Sequence, residues 1–301
     1  MSSYKPVSLP YFAPANTIPG SLPSLKMVLK STRHLKDPPS SPEARDMWVV
    51  RVGNYFVAKY GESVRSDEGQ AMLFIQKNTK VPVPQIYAIY NFEREGKTNT
   101  MIIMEFIEGV TLASYLKKAT PRQLDMASAR TRAQFKELRS IPCPPNYYGS
   151  LGEKPFYYAP NVQEYGPCDS VSTFIVGFVR TITSKWPRWI YGELASSFVS
   201  DLTVTAMKEG HDHSVFSHGD LHEFNVIISK NGTPYLIDYE QAGFYPAFYE
   251  YMASKSLFVK FQFMSEKFPR EDRLFKELFD QAEDLMNEEQ MEAMMNESDE
   301  E

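Results

Sequence analysis

Hydrophobic and polar positions follow one rhythm over the first third of this chain and another over the rest. Met47-Trp-Val-Val-Arg-Val52 and Tyr55-Phe-Val-Ala-Lys-Tyr60 are β-rich runs either side of Gly53-Asn54. Gly and Asn tolerate positive φ, so the pattern predicts a hairpin with a two-residue loop. From Ser66 the pattern predicts a helix. Met72 and Ile75 give an apolar stripe, Asp67 and Glu68 suit the positive end of a helix dipole, and Ser66 is a good N-cap. Val81-Pro-Val-Pro84 must be extended, because proline disfavours helical backbone in the residue before it. Ile86–Phe92 and Thr100–Phe106 read as two further strands around a turn at Gly96. Then the pattern turns helical, over Thr111–Lys118 and Gln123–Arg139. Residues 141–170, rich in Pro, Gly and Tyr, predict a long surface loop. Helical character returns with Phe174, Phe178 and Ile182 and, after the segment 211–240, continues to the end. No internal repeat is visible.

This order predicts an irregular lead-in over 1–45 with one short strand, a β-rich N-terminal lobe over 46–106 and a mainly helical lobe over 107–280. An acidic tail follows over 281–301. A cleft and linker fall near Glu105–Gly109. A chain of 301 residues, 43% hydrophobic and 23% charged, suits a globular enzyme of two lobes. The apolar run Met101-Ile-Ile-Met104 is far below the roughly 18 residues of a membrane span. The start, Met1-Ser-Ser-Tyr-Lys-Pro6, lacks the apolar stretch of a signal peptide. With two cysteines, Cys143 and Cys168, the sequence suggests no disulfide framework and a cytoplasmic protein. A net charge of −6 disfavours nucleic acid as a partner, and no membrane partner is expected. Much of that charge lies in Glu283–Glu301. That tail reads as a solvated helix face fraying into a disordered end, with weak protein contact as its alternative use.

The segment richest in chemistry is Phe216-Ser-His-Gly-Asp-Leu-His-Glu-Phe-Asn-Val-Ile-Ile-Ser229, followed by Asn231-Gly232 and Pro234-Tyr-Leu-Ile-Asp-Tyr-Glu240. The Asn-Gly turn makes Val226–Ser229 and Tyr235–Ile237 two arms of a hairpin, which brings Asn225 and Asp238 to the same rim. Asp220 lies in the loop just before. Two carboxylates and a carboxamide make a hard, oxygen-rich site suited to Mg²⁺ and phosphate oxygens. Phosphoryl transfer needs these parts, with a lysine to grip the phosphates. Protein kinases place the catalytic Asp five residues before a metal-binding Asn, and a second metal-binding Asp on a later hairpin. Asp220, Asn225 and Asp238 show that pattern. Lys59, in Val57-Ala-Lys59, fits the phosphate-binding lysine, and Glu68 on the next helix is placed to pair with it.

On these motifs the chain resembles the aminoglycoside phosphotransferase-like branch of the protein-kinase-like fold, an α+β class. His218-Gly-Asp-Leu-His222, Asn225 and Ile237-Asp-Tyr-Glu240 are similar to that family's catalytic loop and metal motif. Val57-Ala-Lys-Tyr-Gly61, Val81-Pro-Val-Pro84 and Met104-Glu-Phe-Ile-Glu-Gly109 resemble its lysine strand, sheet entry and hinge. Ala242-Gly-Phe-Tyr-Pro246 resembles variants common in fungal members. The resemblance runs from about residue 47 to 260. It implies an ATP- or GTP-dependent kinase with Mg²⁺ as cofactor and a small-molecule hydroxyl as acceptor. It also implies that the backbone groups of Glu105 and Ile107 meet the nucleotide base. Two departures stand out: no glycine-rich loop precedes Lys59, and Tyr239 stands where Trp is frequent.

Two other readings compete. A nucleotide-binding module that has lost transfer would fit the missing glycine loop, though Lys59, Asp220, Asn225 and Asp238 are all present. Four of the five histidines, His211, His213, His218 and His222, lie within twelve residues and raise a zinc hydrolase. A second ligand cluster is absent from the sequence, so His218 reads as an anchor of the catalytic loop and His211 and His213 as surface residues. Glu240 stands evenly between site and structural roles. Without metal, Asp238 is expected to add repulsion with Asp220 rather than stability. The aromatics Tyr147, Tyr148, Phe156, Tyr157, Tyr158 and Tyr165 fall where an acceptor pocket would form, with no chemical code for the acceptor.

Overall fold

The computed structural model describes residues 4–36, 47–158, 163–184, 186, 188–254, 264 and 266–298. The chain opens with a short strand β1 (Tyr11–Phe12) and helix α1 (Leu25–Leu29), capped by Ser24. The hairpin β2 (Trp48–Val52) and β3 (Phe56–Gly61) follows, then helix α2 (Ser66–Asn78), then β4 (Ile86–Arg94) and β5 (Lys97–Glu105). These strands form one antiparallel sheet in the order β1-β4-β5-β3-β2. The first hairpin turns over three residues, Gly53, Asn54 and Tyr55, because Val52 pairs with Phe56. Gly53 takes a φ of +64°, the left-handed region. Helix α2 begins at Ser66 itself, with Arg65 in the capping position and no side-chain cap.

Past Glu105 the fold becomes mainly helical. A short strand β6 (Gly109–Thr111) leads into α3 (Leu112–Leu116), capped by Thr111, and α4 (Pro121–Leu138), whose Thr120 and Gln123 close a capping box. The stretch predicted as a loop over 141–170 carries three short strands: β7 (Gly149–Ser150), β8 (Phe156–Tyr158) and β9 (Gln163–Tyr165). Helices α5 (Val171–Ile182) and α6 (Arg188–Glu209) follow. Strand β10 (Ser214–Ser217), the hairpin β11 (Val226–Ser229) and β12 (Pro234–Leu236), and β13 (Gly243–Pro246) then precede α7 (Tyr249–Ala253) and a long final helix α8 (Pro269–Ser298). Three small antiparallel sheets, β10-β13-β7, β12-β11-β6 and β8-β9, tie the second part together. The acidic stretch over 283–298 is thus helical; side chains beyond residue 287 and residues 299–301 lie outside the described residues. No described helix is long and apolar enough to cross a membrane.

Strand alternation decides where Lys59 points. On β3, Phe56, Ala58 and Tyr60 face one cluster with Val50, Val52, Met101 and Ile103. Val57 faces the opposite side, in the cluster that holds Met72 and Ile75 of α2. Lys59, two residues on, shares the face of Val57 and lies under α2. That helix sits close because residue 69 is glycine, where a β-carbon would stand 2.6 Å from Cδ1 of Ile89. The other face of the sheet is covered by the lead-in, which the sequence pattern left irregular. Ala13 and Val28 are buried there, with Tyr11, Ile18, Leu22 and Leu25 packed around them. Val28 is fully buried, which contributes about 2 kcal/mol.

Candidate active site

Lys59 is 3% exposed and surrounded by carboxylates. Its Nζ stands 2.5 Å from Oε2 of Glu68, 2.7 Å from Oδ1 of Asp238 and 3.9 Å from Oε2 of Glu240. Burial alone would discharge the ammonium, but these three carboxylates outweigh it and raise its pKa above the ordinary value. Glu68 comes from the first turn of α2, and its neighbour Asp67 pairs with Arg65 and Lys154. Burial pushes the Glu68 carboxyl up, and the Lys59 charge opposes that shift.

The opposite wall is the loop 218–225. His218 is fully buried. Its Nε2 donates to the Ile237 carbonyl at 2.9 Å, and its Nδ1 accepts from the Asp220 N–H at 3.3 Å. The ring packs on Tyr239, with centroids 4.5 Å apart. Gly219, with φ of +88°, donates its N–H to Oε2 of Glu250 at 3.0 Å. Glu250, on α7, is fully buried, and burial raises its pKa. Sequence reasoning did not find Glu250, since a glutamate late in a helical stretch carries no motif.

Asp220 lies at the mouth of the loop. Burial raises its carboxyl pKa, His222 pulls it down, and the negative charges of Asp238 and Glu240 push it up again, so the net shift is upward. His222 stands 3.8 Å from its Oδ2. Asn225 is 2% exposed, and its Nδ2 donates to the Asp220 carbonyl at 2.9 Å. That bond turns the amide so that its oxygen is the free end.

The hairpin β11–β12 carries the chain on to Asp238. Val226 pairs with Leu236, and the Ile237 N–H donates to the Asn225 carbonyl at 2.9 Å. Asp238 itself adopts a left-handed backbone, φ +67° and ψ +58°, which is uncommon for a non-glycine residue and swings its carboxylate toward Lys59. Burial would raise its pKa. Lys59 and Lys36 overcome that and hold the carboxyl well below the usual range. Lys36, from the lead-in, reaches Oδ2 of Asp238 at 2.9 Å. Nothing around Lys36 in the sequence marks this contact, because a lone lysine in an irregular segment has no pattern. The expectation that Asp238 adds repulsion in the metal-free protein is therefore reversed: two ammoniums hold it in place.

Glu105 ends β5, with its N–H bonded to the Gln85 carbonyl and its side chain accepting from the Gln85 N–H. Ile107 is buried in the linker just beyond, and no described backbone group bonds its N–H or carbonyl.

The donor chemistry suits a hard divalent cation. Asp220, Asp238 and the Asn225 oxygen are oxygen donors, and the carboxylates of Glu68, Asp238 and Glu240 come within 4.8 Å of one another. Glu68 pairs with Lys59, which leaves Asp238 and Glu240 as the carboxylates of that group not engaged by α2, with Asn225 beside Asp220. The histidines disperse instead of clustering. His213 bonds the Gly210 carbonyl, His222 accepts from the Phe224 N–H, and His211 is no free surface residue, since its Nδ1 meets the fully buried Glu271 at 2.5 Å.

Residues 43–277 match the family described as the phosphotransferase enzyme family. Among solved structures, a thermostable mutant of aminoglycoside phosphotransferase APH(4)-Ia in its apo form superposes with a TM-score of 0.50. It is 17% identical, over 81% of this chain and 77% of that one. ADP-bound aminoglycoside phosphotransferase APH(2'')-Ib gives 0.50 at 15% identity, over 80% of each chain. A thermostable APH(4)-Ia mutant in ternary complex with AMP-PNP and hygromycin B gives 0.51 at 17% identity, over 84% and 81%. At such identities these likenesses show the shared kinase-like fold. A search of curated proteins finds no match. The family match spans most of the sequence, and the chain belongs to the phosphotransferase enzyme family.

Proposed function

We propose that the chain transfers the terminal phosphoryl group of ATP or GTP to a hydroxyl group of a small molecule. The observation that carries this reading is the ion pair of the remote Lys59 with Asp238, beside the loop that carries Asp220 and Asn225. Lys59, held charged by Glu68, binds the nucleotide's phosphates. Asp238 and Asn225 hold Mg²⁺, which when bound neutralises phosphate charge. Backbone groups of Glu105 and Ile107 receive the base. Asp220 orients the acceptor hydroxyl and takes its proton; its raised pKa makes it a better proton acceptor than an ordinary aspartate. Because such transfer passes through a loose transition state, alignment and charge neutralisation do most of the work. The domain division follows the same reading. Residues 46–106 form the nucleotide lobe, 107–280 the catalytic and acceptor lobe, with a lead-in over 1–45 and a tail over 281–301. The free thiols of Cys143 and Cys168 support a cytoplasmic setting.

The test is Asp220→Asn. Magnesium-dependent nucleotide binding should stay near wild type, while phosphoryl transfer falls by about a hundredfold or more, the contribution of a positioned general base. Screening metabolites and antibiotics for nucleotide-consuming turnover supplies the acceptor. Equal turnover in wild type and variant would remove Asp220 from the reaction.

A further inference from the structure

The lead-in does more than cover the sheet. Residues 33–35 run along the outer side of β2: the Arg51 N–H donates to the Arg33 carbonyl at 2.9 Å, His34 bridges to Val50, and the Leu35 N–H donates to the Val49 carbonyl at 2.8 Å. Val49 is in turn the partner of Lys59 on β3. Leu35, Val49 and Lys59 therefore lie at one level across three extended segments, and Lys36 follows at once. The backbone is thus fixed where a lysine side chain can reach the cleft.

At that place the two oxygens of Asp238 are divided between two ammoniums. Lys59 takes Oδ1 at 2.7 Å and Lys36 takes Oδ2 at 2.9 Å. Lys59 cannot readily leave, since its side chain is 4% exposed and also engaged by Glu68. The side chain of Lys36 is 48% exposed, on a flexible four-carbon stem. For Asp238 to hold a metal, an oxygen must be released, and Oδ2 is the one whose partner is mobile. The displaced ammonium then stands beside the phosphates that accompany the metal.

We propose that Lys36 is a second phosphate-binding lysine, which holds Asp238 until nucleotide arrives and then passes from Asp238 Oδ2 to the β- and γ-phosphates. The proposal rests on the nucleotide-dependent reading above. It assigns to the lead-in one ammonium that can meet phosphate charge at Asp238. No covalent step is involved; one ion pair is exchanged for another.

The experiment compares Lys36→Met with wild type and with Lys59→Ala by titration calorimetry. Lys36→Met should bind Mn²⁺ alone more tightly than wild type, because the ammonium that competes for Asp238 is gone. It should bind magnesium–ATP more weakly by about tenfold, the worth of one charge-assisted bond, and bind adenosine as wild type does. Lys36→Met with wild-type affinity for magnesium–ATP, alongside a weakened Lys59→Ala, overturns the role of Lys36 and leaves the site intact. Equal loss for adenosine and ATP overturns it too, since that pattern marks a disturbed fold. A wild-type protein that binds no magnesium–nucleotide overturns both this proposal and the reading beneath it.

Discussion

Gly219 and Gln241 approach so closely that a β-carbon on residue 219 would stand 2.3 Å from the Gln241 carbonyl oxygen. The loop 218–225 and the short turn after Asp238 are therefore in backbone contact. This contact fixes the relative positions of Asp220, one residue after the glycine, and Asp238, three residues before the glutamine. Gly219 also needs its φ of +88°, which other residues adopt only at a cost.

Gly219→Ala is accordingly expected to cost about 2 kcal/mol or more of stability, from the strained backbone together with the clash. It should lower turnover beyond what the lost stability explains. Urea unfolding gives the first quantity and nucleotide turnover at a temperature where both proteins are folded gives the second. A variant as stable and active as wild type would mean that the loop and the turn can separate.

Apart from Lys59, which its Val-Ala-Lys strand pattern marked, the candidate positions read from sequence are those whose spacing along the chain is their spacing in space. Asp220, Asn225 and Asp238 lie within nineteen residues, and a tight hairpin converts that order directly into proximity. The sheet was legible for the same reason, since β2–β3 and β4–β5 are local hairpins with alternating residues. Lys36 and Glu250 were illegible because their partners are remote. Lys36 meets Asp238 across 202 positions and Glu250 meets Gly219 across 31, and neither has a pattern around it. Over 141–170 the strands are two or three residues long, too short for any period to show. The lead-in failed for another reason. Its buried residues Ala13 and Val28 are separated by turns, so they form no stripe.

Lys59 should matter to the fold as well as to the nucleotide. Lys59→Ala leaves Glu68, Asp238 and Glu240 converging on a space without its positive charge. Loss of one partner of a buried ion pair costs about 3 kcal/mol. Lys59→Arg keeps the charge, yet its planar fork does not fit between Glu68 and Asp238 as a compact ammonium does. The arginine variant should thus recover part of the stability and little of the turnover. Thermal melts and turnover measured on both variants decide this, and full recovery of turnover by arginine would refute it.

His218 predicts an acid limb in stability. Burial pushes its pKa down from 6.5 to about 4, against the partial opposing pull of the Ile237 carbonyl. The unfolded chain takes up the proton first. The stability it contributes is therefore complete above pH 6.5, falls as pH drops toward 4, and levels off below that. Between pH 7 and pH 5 the loss should be about 2 kcal/mol. His218→Gln, which retains a donor for the Ile237 carbonyl, should start less stable but lack this decline. Glu68, whose pKa is raised by burial, acts with the opposite sign in an overlapping range and cancels in the difference between the two proteins. Parallel stability curves for wild type and His218→Gln would show that another group sets the limb.

The two residues proposed to hold the metal should separate in a ligand-dependent melt. Asp238 brings a full charge and Asn225 only a dipole, so Asp238 should supply most of the affinity for a magnesium-bound nucleotide. In the ligand-free protein Asp238 is also held by Lys59 and Lys36. Asp238→Ala should therefore melt lower before any ligand is added, by about 2 kcal/mol, less than a fully orphaned charge because Lys59 retains Glu68. The informative quantity is the further shift on adding ligand. Wild type should gain about 2.7 kcal/mol at a ligand concentration about 100 times its Kd, by mass action. Asp238→Ala should gain almost nothing at that concentration, and extra Mg²⁺ should restore little. Asn225→Ala should keep most of the gain and yet turn over poorly. Its amide ties the loop to the Asp220 carbonyl at 2.9 Å, and removing it frees the residue that orients the acceptor. Equal ligand-induced shifts in wild type and Asp238→Ala would take Asp238 out of the metal site. The nucleotide reading would then have to rest on Lys59 alone, whose three carboxylate partners would describe a buried structural ion cluster equally well.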